Sequence, residues 1–280
     1  MKTGSSQRPD LPLAVVIGAG GMGMATARRL GTRYRILLVD VDSDRADTRA
    51  AAMRDDGHDV TGFACDITDA DAVGRLADAV AAAGPFRVLA HVAGLSPSMG
   101  GWESILRVNL RGAVLVETAL RAHAGLGTAA IFISSLAAHA PAPAPQVLAC
   151  LADPLAEDFL SRIEAAAGDI SPQLAYQLSK YQMNRMVERQ AAAWGARGAR
   201  IVSISPGLIA TPMGALEFTR QPVKYDLLAR TPLGREGTML EIADAIEFLA
   251  SDRASFISGT DLLVDGGVAA ALKQSAAGPA

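Results

Sequence analysis

"VVIGAGGMGMATARRL", residues 15–30, begins as a β-branched apolar run, turns through four glycines and continues with the spacing of a helix. Gly18, Gly20 and Gly23 satisfy G-x-G-x-x-G. Between a strand and a helix, such glycines let the backbone approach a pyrophosphate while the free N–H groups of the next helix face its charge. A purely structural tight turn would use glycine in the same way. What favours the first reading is Asp40, which ends the next apolar run, "RILLVD", about 20 residues further on. A carboxylate there accepts from an adenosine ribose hydroxyl and repels a 2′-phosphate. Neither Val41 nor the glycine turn supplies an arginine or lysine to hold such a phosphate, so NAD is favoured over NADP.

Apolar runs recur outward from this turn: "LAVVIG" from 13, "RILLVD" from 35, "DVTGFACD" from 59, "FRVLAHVAG" from 86, "AAIFISS" from 129, "ARIVSISPG" from 199 and "TDLLVDGG" from 260. Alanine-rich stretches with helical spacing, such as 22–30 and 70–83, separate most of them. Continuous apolar strands alternating with helices predict a parallel sheet covered on both faces. "TMLE" at 238–241 reads as a capping box, and Ser171-Pro172 as an N-cap followed by proline at the first helical position. Residues 1–10 and 271–280, poor in pattern and rich in small residues, read as disordered tails around one domain spanning 11–270.

Composition narrows the function. Half of the 280 residues are hydrophobic, enough for a sizeable core, and a formal charge of -3 provides no basic field for nucleic acid or an anionic membrane. The uncharged stretch 11–27 is interrupted by four glycines and abutted by Asp10, which argues against a membrane span. Cys65, Cys150 and four scattered histidines make neither a disulfide framework nor a metal-ligand cluster. A soluble cytoplasmic protein without a metal site is expected.

"AYQLSKYQMNRMVERQAAAW" places Tyr176 and Lys180 four residues apart, on one face of a helix. A tyrosine acting as a base near neutral pH needs its phenolate stabilised by about 3 kcal/mol or more, which a lysine ammonium and an oxidised nicotinamide can share. Taken alone, the pair also describes a solvated cation beside a half-buried ring. Its surroundings decide. From about 12 to 270 the chain resembles the short-chain dehydrogenase/reductase family: Tyr176 and Lys180 match the catalytic pair, Ser135 in "ISSL" the serine closing the fifth strand, and Asn109 in "VNLRG" the helix asparagine. "SPGLIATPM" (205–213) is similar to the loop that meets the nicotinamide, and "GTDLLVDGG" (259–267) to the last strand and subunit-contact region.

The resemblance implies a Rossmann-type α/β fold, a doubly wound, seven-stranded parallel sheet in a single domain. It also implies hydride transfer between NAD and a secondary alcohol or ketone. Ser135 would hydrogen-bond the substrate oxygen, Tyr176 would exchange its proton, Lys180 would hold the ribose and lower the tyrosine pKa, and Asn109 would position a relaying water. The implied cofactor set comprises Gly18, Gly20, Gly21, Met22 and Gly23, then Asp40, Asp66, Ile67, Ala93 and Gly94, with Tyr176, Lys180, Pro206, Gly207, Ile209 and Thr211. Asp66 would meet the adenine amino group, although a helix-entry carboxylate is an equal reading. Ile209 and Thr211 would fix the nicotinamide carboxamide. Two departures stand out. Ile17 replaces the family's threonine before a glycine turn one residue shorter, giving the glycine roles to Gly18, Gly21 and Gly23. "HVAG" replaces the usual "NNAG", leaving His91 either to take over that hydrogen bonding or to serve as a satisfied structural residue.

The substrate rim should follow the fourth to sixth strands: Leu95, Ser96, Leu136, Met213 and Leu216, with Phe218, Tyr225 and Leu227 nearby. That rim suits an apolar alcohol or ketone. Most family members separate serine and tyrosine by little more than a dozen residues, whereas here "SSLAAHAPAPAPQ" opens an insertion spanning 139–172. Leu155, Phe159, Ile163 and Ala166 predict a helix entered at Pro154, lying over the substrate side. The insertion, the alanine-rich "QAAAWGARGARI" after the lysine and the "ATPM" loop together resemble the bacterial 3α-hydroxysteroid dehydrogenase/carbonyl reductase branch, which implies a steroid-like or other bulky apolar carbonyl. Beside the tyrosine helix it would obstruct a common pairing face, so the expected assembly is a homodimer through the "LLVDGG" side, with a tetramer as the alternative. Two other classes share these residues: a lyase or epimerase using the same tyrosine, and a non-catalytic dinucleotide-binding regulator.

Overall fold

A computed structural model describes residues 11–220 and 223–277. The quoted stretch forms strand β1 (Leu13–Ile17) and helix α1 (Gly21–Leu30). β1 is buried along its whole length. Leu13, Val15 and Ile17 face one core layer, and Ala14 and Val16 the other, as the two-residue strand period requires. β2 (Arg35–Asp40), β3 (Val60–Ala64), β4 (Phe86–His91), β5 (Ala129–Ile133), β6 (Arg200–Pro206) and β9 (Asp261–Val264) complete a seven-stranded sheet in the order β3-β2-β1-β4-β5-β6-β9. All its pairings are parallel. Two short strands, β7 (Ile209–Ala210) and β8 (Gly237–Thr238), pair separately beyond β6.

Helices cover both faces of the sheet. α1, α2 (Ser43–Asp55) and α11 (Met239–Ala250) supply Met24, Leu30, Met53, Ile242 and Leu249 to one layer. α3 (Ala70–Ala82), α5 (Ala113–Arg121) and α8 (Pro172–Gly195) supply Leu76, Val116, Met183 and Trp194 to the other. The predicted caps form. Thr238 and Glu241 bond each other's backbone N–H groups at the start of α11, and Ser171 Oγ accepts from Leu174 N ahead of Pro172. Strand order reverses between β1 and β4, so their C-terminal ends diverge and open a crevice.

The insertion folds as two helices, α6 (Pro145–Leu151) and α7 (Phe159–Ala167). It is Pro145 that enters a helix; Pro154 and Leu155 lie in a turn whose Leu155 and Ala156 carbonyls accept from Arg111, so α7 starts at Phe159. Val147, Leu151, Phe159 and Ile163 are buried in a third apolar cluster with Ile105 and Leu106 of α4 (Trp102–Leu106) and Ala175 and Leu178 of α8. At the other end, helix α12 (Val268–Ala277) runs through most of the stretch read as a C-terminal tail. The reading of 1–10 as disordered lies outside the described residues.

Candidate active site

The crevice is a cleft of about 940 Å³ across the C-terminal ends of the sheet strands. At its centre, Gly18 adopts φ +102°, which favours glycine, and an added Cβ would stand 3.0 Å from the Ala93 backbone. A Cβ on Gly23 would collide with the Gly18 carbonyl oxygen, which fixes the packing of α1 on the strand. Gly20 differs: nothing lies within 4 Å of where its Cβ would be. Gly20 is also the N-cap of α1, with no capping side chain and no acidic residue in the first turn. Its bareness is therefore not required by packing within the chain. A pyrophosphate fits there, against unpaired helix N–H groups.

Asp40, nearly buried, holds this turn by accepting from Ala19 N at 2.8 Å through Oδ2. Its Oδ1 accepts from Asp42 N and from Arg45 Nη1, both at 3.1 Å. Arg45 lines the cleft. Thus α2 delivers the cation that the turn and strand end lack, from a position that neither the glycine pattern nor the end of β2 marks in the sequence. Asp66 Oδ1 accepts from Thr68 N and Oγ1, while Asp69 caps α3; Asp66 is not the helix-entry carboxylate. Gly21, Met22, Asp66, Ile67, Ala93, Gly94, Pro206, Gly207, Ile209 and Thr211 all line the same cleft.

Ser135, Tyr176 and Lys180 meet in this cleft. Of the serine pair ending β5, Ser134 is buried and donates to the Lys180 carbonyl at 3.2 Å, which leaves Ser135 facing the opening. Ser135 caps a 3₁₀ turn (Leu136–His139), its Oγ accepting from Ala137 N. Lys180 Nζ donates to the Ile133 carbonyl at 2.8 Å and stands 5.8 Å from the Tyr176 ring centroid. Burial pushes its pKa down to about 8, so the ammonium persists at neutral pH.

Asn109 sits in a π-helical turn (Arg107–Gly112) between α4 and α5, completely buried. Its Oδ1 accepts from Leu95 N at 2.7 Å, and its Nδ2 donates to Leu95 O at 2.9 Å and to Ser179 Oγ at 3.5 Å. It lies behind the cleft wall rather than in it. His91 takes over none of the missing asparagine's hydrogen bonding: it is fully buried, stacked on Phe132 at 5.1 Å, and neither ring nitrogen has a hydrogen-bond partner. Burial, reinforced by the Lys180 charge, pushes its pKa down to about 3 and keeps the ring neutral.

Leu95, Ser96, Leu136 and Met213 line the cleft, joined by Phe218, Lys224 and Leu227. Tyr225 instead points outward and packs edge-on against Phe218. The Leu216 side chain lies outside the described residues. No described residue from 139–172 lines the cleft, and the insertion reaches it only through the partly buried Leu95 and Tyr176 packed against its cluster. Its side chains pack behind α8, and the four-residue apolar spacing that revealed α7 could not tell which side of α8 it would cover.

A family model described as short chain dehydrogenase matches residues 12–148, and one described as Enoyl-(Acyl carrier protein) reductase matches 160–269. The chain is 36% identical to the short-chain dehydrogenase/reductase bsc3 of Alternaria brassicicola, over 93% of this chain and 96% of that protein. It is 32% identical to the 3-alpha-hydroxysteroid dehydrogenase/carbonyl reductase of Comamonas testosteroni, over 78% and 89%. A gluconate 5-dehydrogenase from Burkholderia cenocepacia, solved with NADP and tartrate, shares the fold with a TM-score of 0.73 at 24% identity, over 92% of this chain and 95% of that one.

Proposed function

The chain belongs to the short-chain dehydrogenase/reductase family of oxidoreductases, and on that premise we propose that it interconverts a secondary alcohol and a ketone with NAD. The observation carrying this reading is the convergence of Ser135, Tyr176 and Lys180 on the cleft that the glycine turn opens. The dinucleotide supplies the hydride acceptor or donor. Gly18, Gly20 and Gly23 with the α1 N-terminus would hold its pyrophosphate, Asp40 its adenosine ribose, and Ile209 and Thr211 its carboxamide. Ser135 Oγ donates to the substrate oxygen, and Tyr176 Oη takes the alcohol proton or returns it to the ketone. The buried Lys180 ammonium stabilises the phenolate. Asn109 acts as a positioning residue: by clamping Leu95 and reaching Ser179 it fixes the wall behind the lysine.

NAD is the proposed cofactor because Asp40, at the end of β2 in the cleft, would accept from the adenosine ribose and repel a 2′-phosphate; Arg45 favours the second reading, NADP, by offsetting that charge. The apolar rim of Leu95, Leu136, Met213, Phe218 and Leu227 suits an alicyclic or steroid-like substrate. Tyr176→Phe should abolish turnover and leave NADH binding within about threefold; substantial residual activity would overturn the assignment. Absorbance at the reduced-nicotinamide band, with either cofactor and a panel of alicyclic and steroid alcohols, separates this reading from a lyase or epimerase, which shows no net change, and from a regulator, which shows no turnover.

The assembly proposed is a homodimer through β9. Among the described residues that strand is paired on one side only, with Leu262 on it and the fully exposed Phe256 shortly before it in the chain. Light scattering that shows a stable tetramer would count against it. The cytosol is the proposed location, in keeping with two free, buried cysteines, of which burial pushes the Cys65 thiol up to about 11. Among the described residues no helix is long and apolar enough to cross a membrane.

A further inference from the structure

The charges lining the cleft are unevenly distributed. Its only described acids, Asp40 and Asp66, stand after β2 and β3, at the end assigned to adenosine. At the other end, beyond β6, Lys224 is the charged residue among the described residues of a wall that includes Met213, Phe218 and Leu227. It lies on α10 (Val223–Ala229), half-buried, and among the described residues it has no ion pair or hydrogen bond. The edge-on contact of the adjacent Tyr225 with Phe218, 5.1 Å between centroids, holds α10 against α9 (Pro212–Arg220). An ammonium kept beside apolar surface is poorly hydrated, so a carboxylate brought to it gains more than in open water.

We infer that the substrate is an apolar ring bearing a carboxylate as well as the reacting alcohol or ketone, and that Lys224 binds that carboxylate. The inference rests on the oxidoreductase reading for the reaction and on Lys224 alone for the anion. The sheet order separates the anion site from the cofactor's phosphates. The pyrophosphate belongs over β1, at the bare N-terminus of α1, whereas α10 follows β6 on the far side of the crevice. Two other lining cations also lack an ion pair among the described residues: Lys180, held by the Ile133 carbonyl at the proposed reaction centre, and Arg107, exposed on the π-helical turn after α4.

The test uses cyclohexanecarboxylate and its near-isosteric neutral partner cyclohexanecarboxamide as dead-end ligands, titrated calorimetrically into the full chain saturated with NADH. A charge-assisted contact is expected to favour the carboxylate by on the order of tenfold to a hundredfold. Lys224→Met should bring the ratio close to one, Lys224→Arg should restore it, and Arg107→Met should not change it. The inference is overturned if the unaltered protein shows no preference, if the preference survives Lys224→Met, or if Arg107→Met abolishes it. It is also overturned if Lys224→Met weakens NADH binding while leaving the preference intact, since the lysine would then serve the dinucleotide. Because these are binding readouts, they stand apart from turnover: failure of the alcohol panel would overturn the oxidoreductase reading, not the anion site.

Discussion

Lys180→Met should make the protein more stable while destroying its activity. The ordinary lysine pKa of 10.5 falls to about 8 on burial. At ~1.36 kcal/mol per pH unit, carrying the ammonium in the folded state costs about 3 kcal/mol at pH 7. Methionine fills similar volume without the charge but deprives the Ile133 carbonyl of its donor, a loss of about 1 kcal/mol. The net gain of about 2 kcal/mol corresponds to a rise in Tm of roughly 4–8 °C for a chain of this size. The pH dependence gives the sharper test. Below pH 8 both states of the original protein are protonated and the penalty is fully present. Between 8 and 10.5 the folded state has lost a proton that the unfolded state keeps, so the original protein's stability rises with pH and the gap to Lys180→Met narrows. Thermal unfolding of both proteins without cofactor at pH 7, 8, 9 and 10 measures this. A variant no more stable at pH 7, or a gap that stays constant through pH 10, would refute the reasoning.

Gly20→Ala should fold normally, because its Cβ meets nothing, yet bind NADH at least tenfold more weakly by fluorescence titration. Gly23→Ala should instead lower Tm steeply or prevent soluble expression, because its Cβ meets backbone that cannot yield. Arg45→Ala should raise the NAD-over-NADP ratio of kcat/KM by roughly fivefold, a modest effect because the arginine is half-exposed; an unchanged ratio would remove Arg45 from cofactor selection. Phe159→Ala should cost about 3–5 kcal/mol in denaturant unfolding, because its ring is buried in the cluster that packs Ala175 and Leu178 of α8.

The residues most legible in the sequence were those whose neighbours lie close along the chain. The glycine turn is legible because strand, turn and helix are consecutive, and Tyr176 and Lys180 because one helical turn separates them. Seven apolar runs became the seven strands of the main sheet, since the central strands are buried on both faces and read as near-continuous apolar runs. The misreadings depend on long-range geometry. The spacing of Leu155 with Phe159 suggested one helix, but Arg111, from a different element, binds the Leu155 and Ala156 carbonyls and stabilises a turn instead. Arg45 escaped because its approach to Asp40 depends on how α2 packs after its N-cap. His91 was read through the asparagine it replaces, whereas its stacking on Phe132 of the neighbouring strand places its nitrogens among apolar side chains.

The physical role of the insertion follows from how the groups proposed to react are held. Ser134 bonds the backbone of Lys180, Lys180 bonds the backbone of Ile133, Ser179 bonds the Tyr176 carbonyl, and Asn109 ties Ser179 to Leu95. These contacts link β5, α8 and the loop after β4 without using any residue between 139 and 172. Chain length between Ser135 and Tyr176 is therefore free to vary, provided α8 returns to the same seat. What the insertion adds is apolar cover: Val147, Leu151, Phe159 and Ile163 pack against Ala175 and Leu178, on the first turns of the helix that carries the tyrosine. Apolar cover on the Ala175 and Leu178 face, opposite residues that line the cleft, makes these turns resist fraying where Tyr176 stands near Lys180. Stability is thus the first property that trimming the insertion should lower, and a trimmed protein that unfolded at the same denaturant concentration would refute this bracing role.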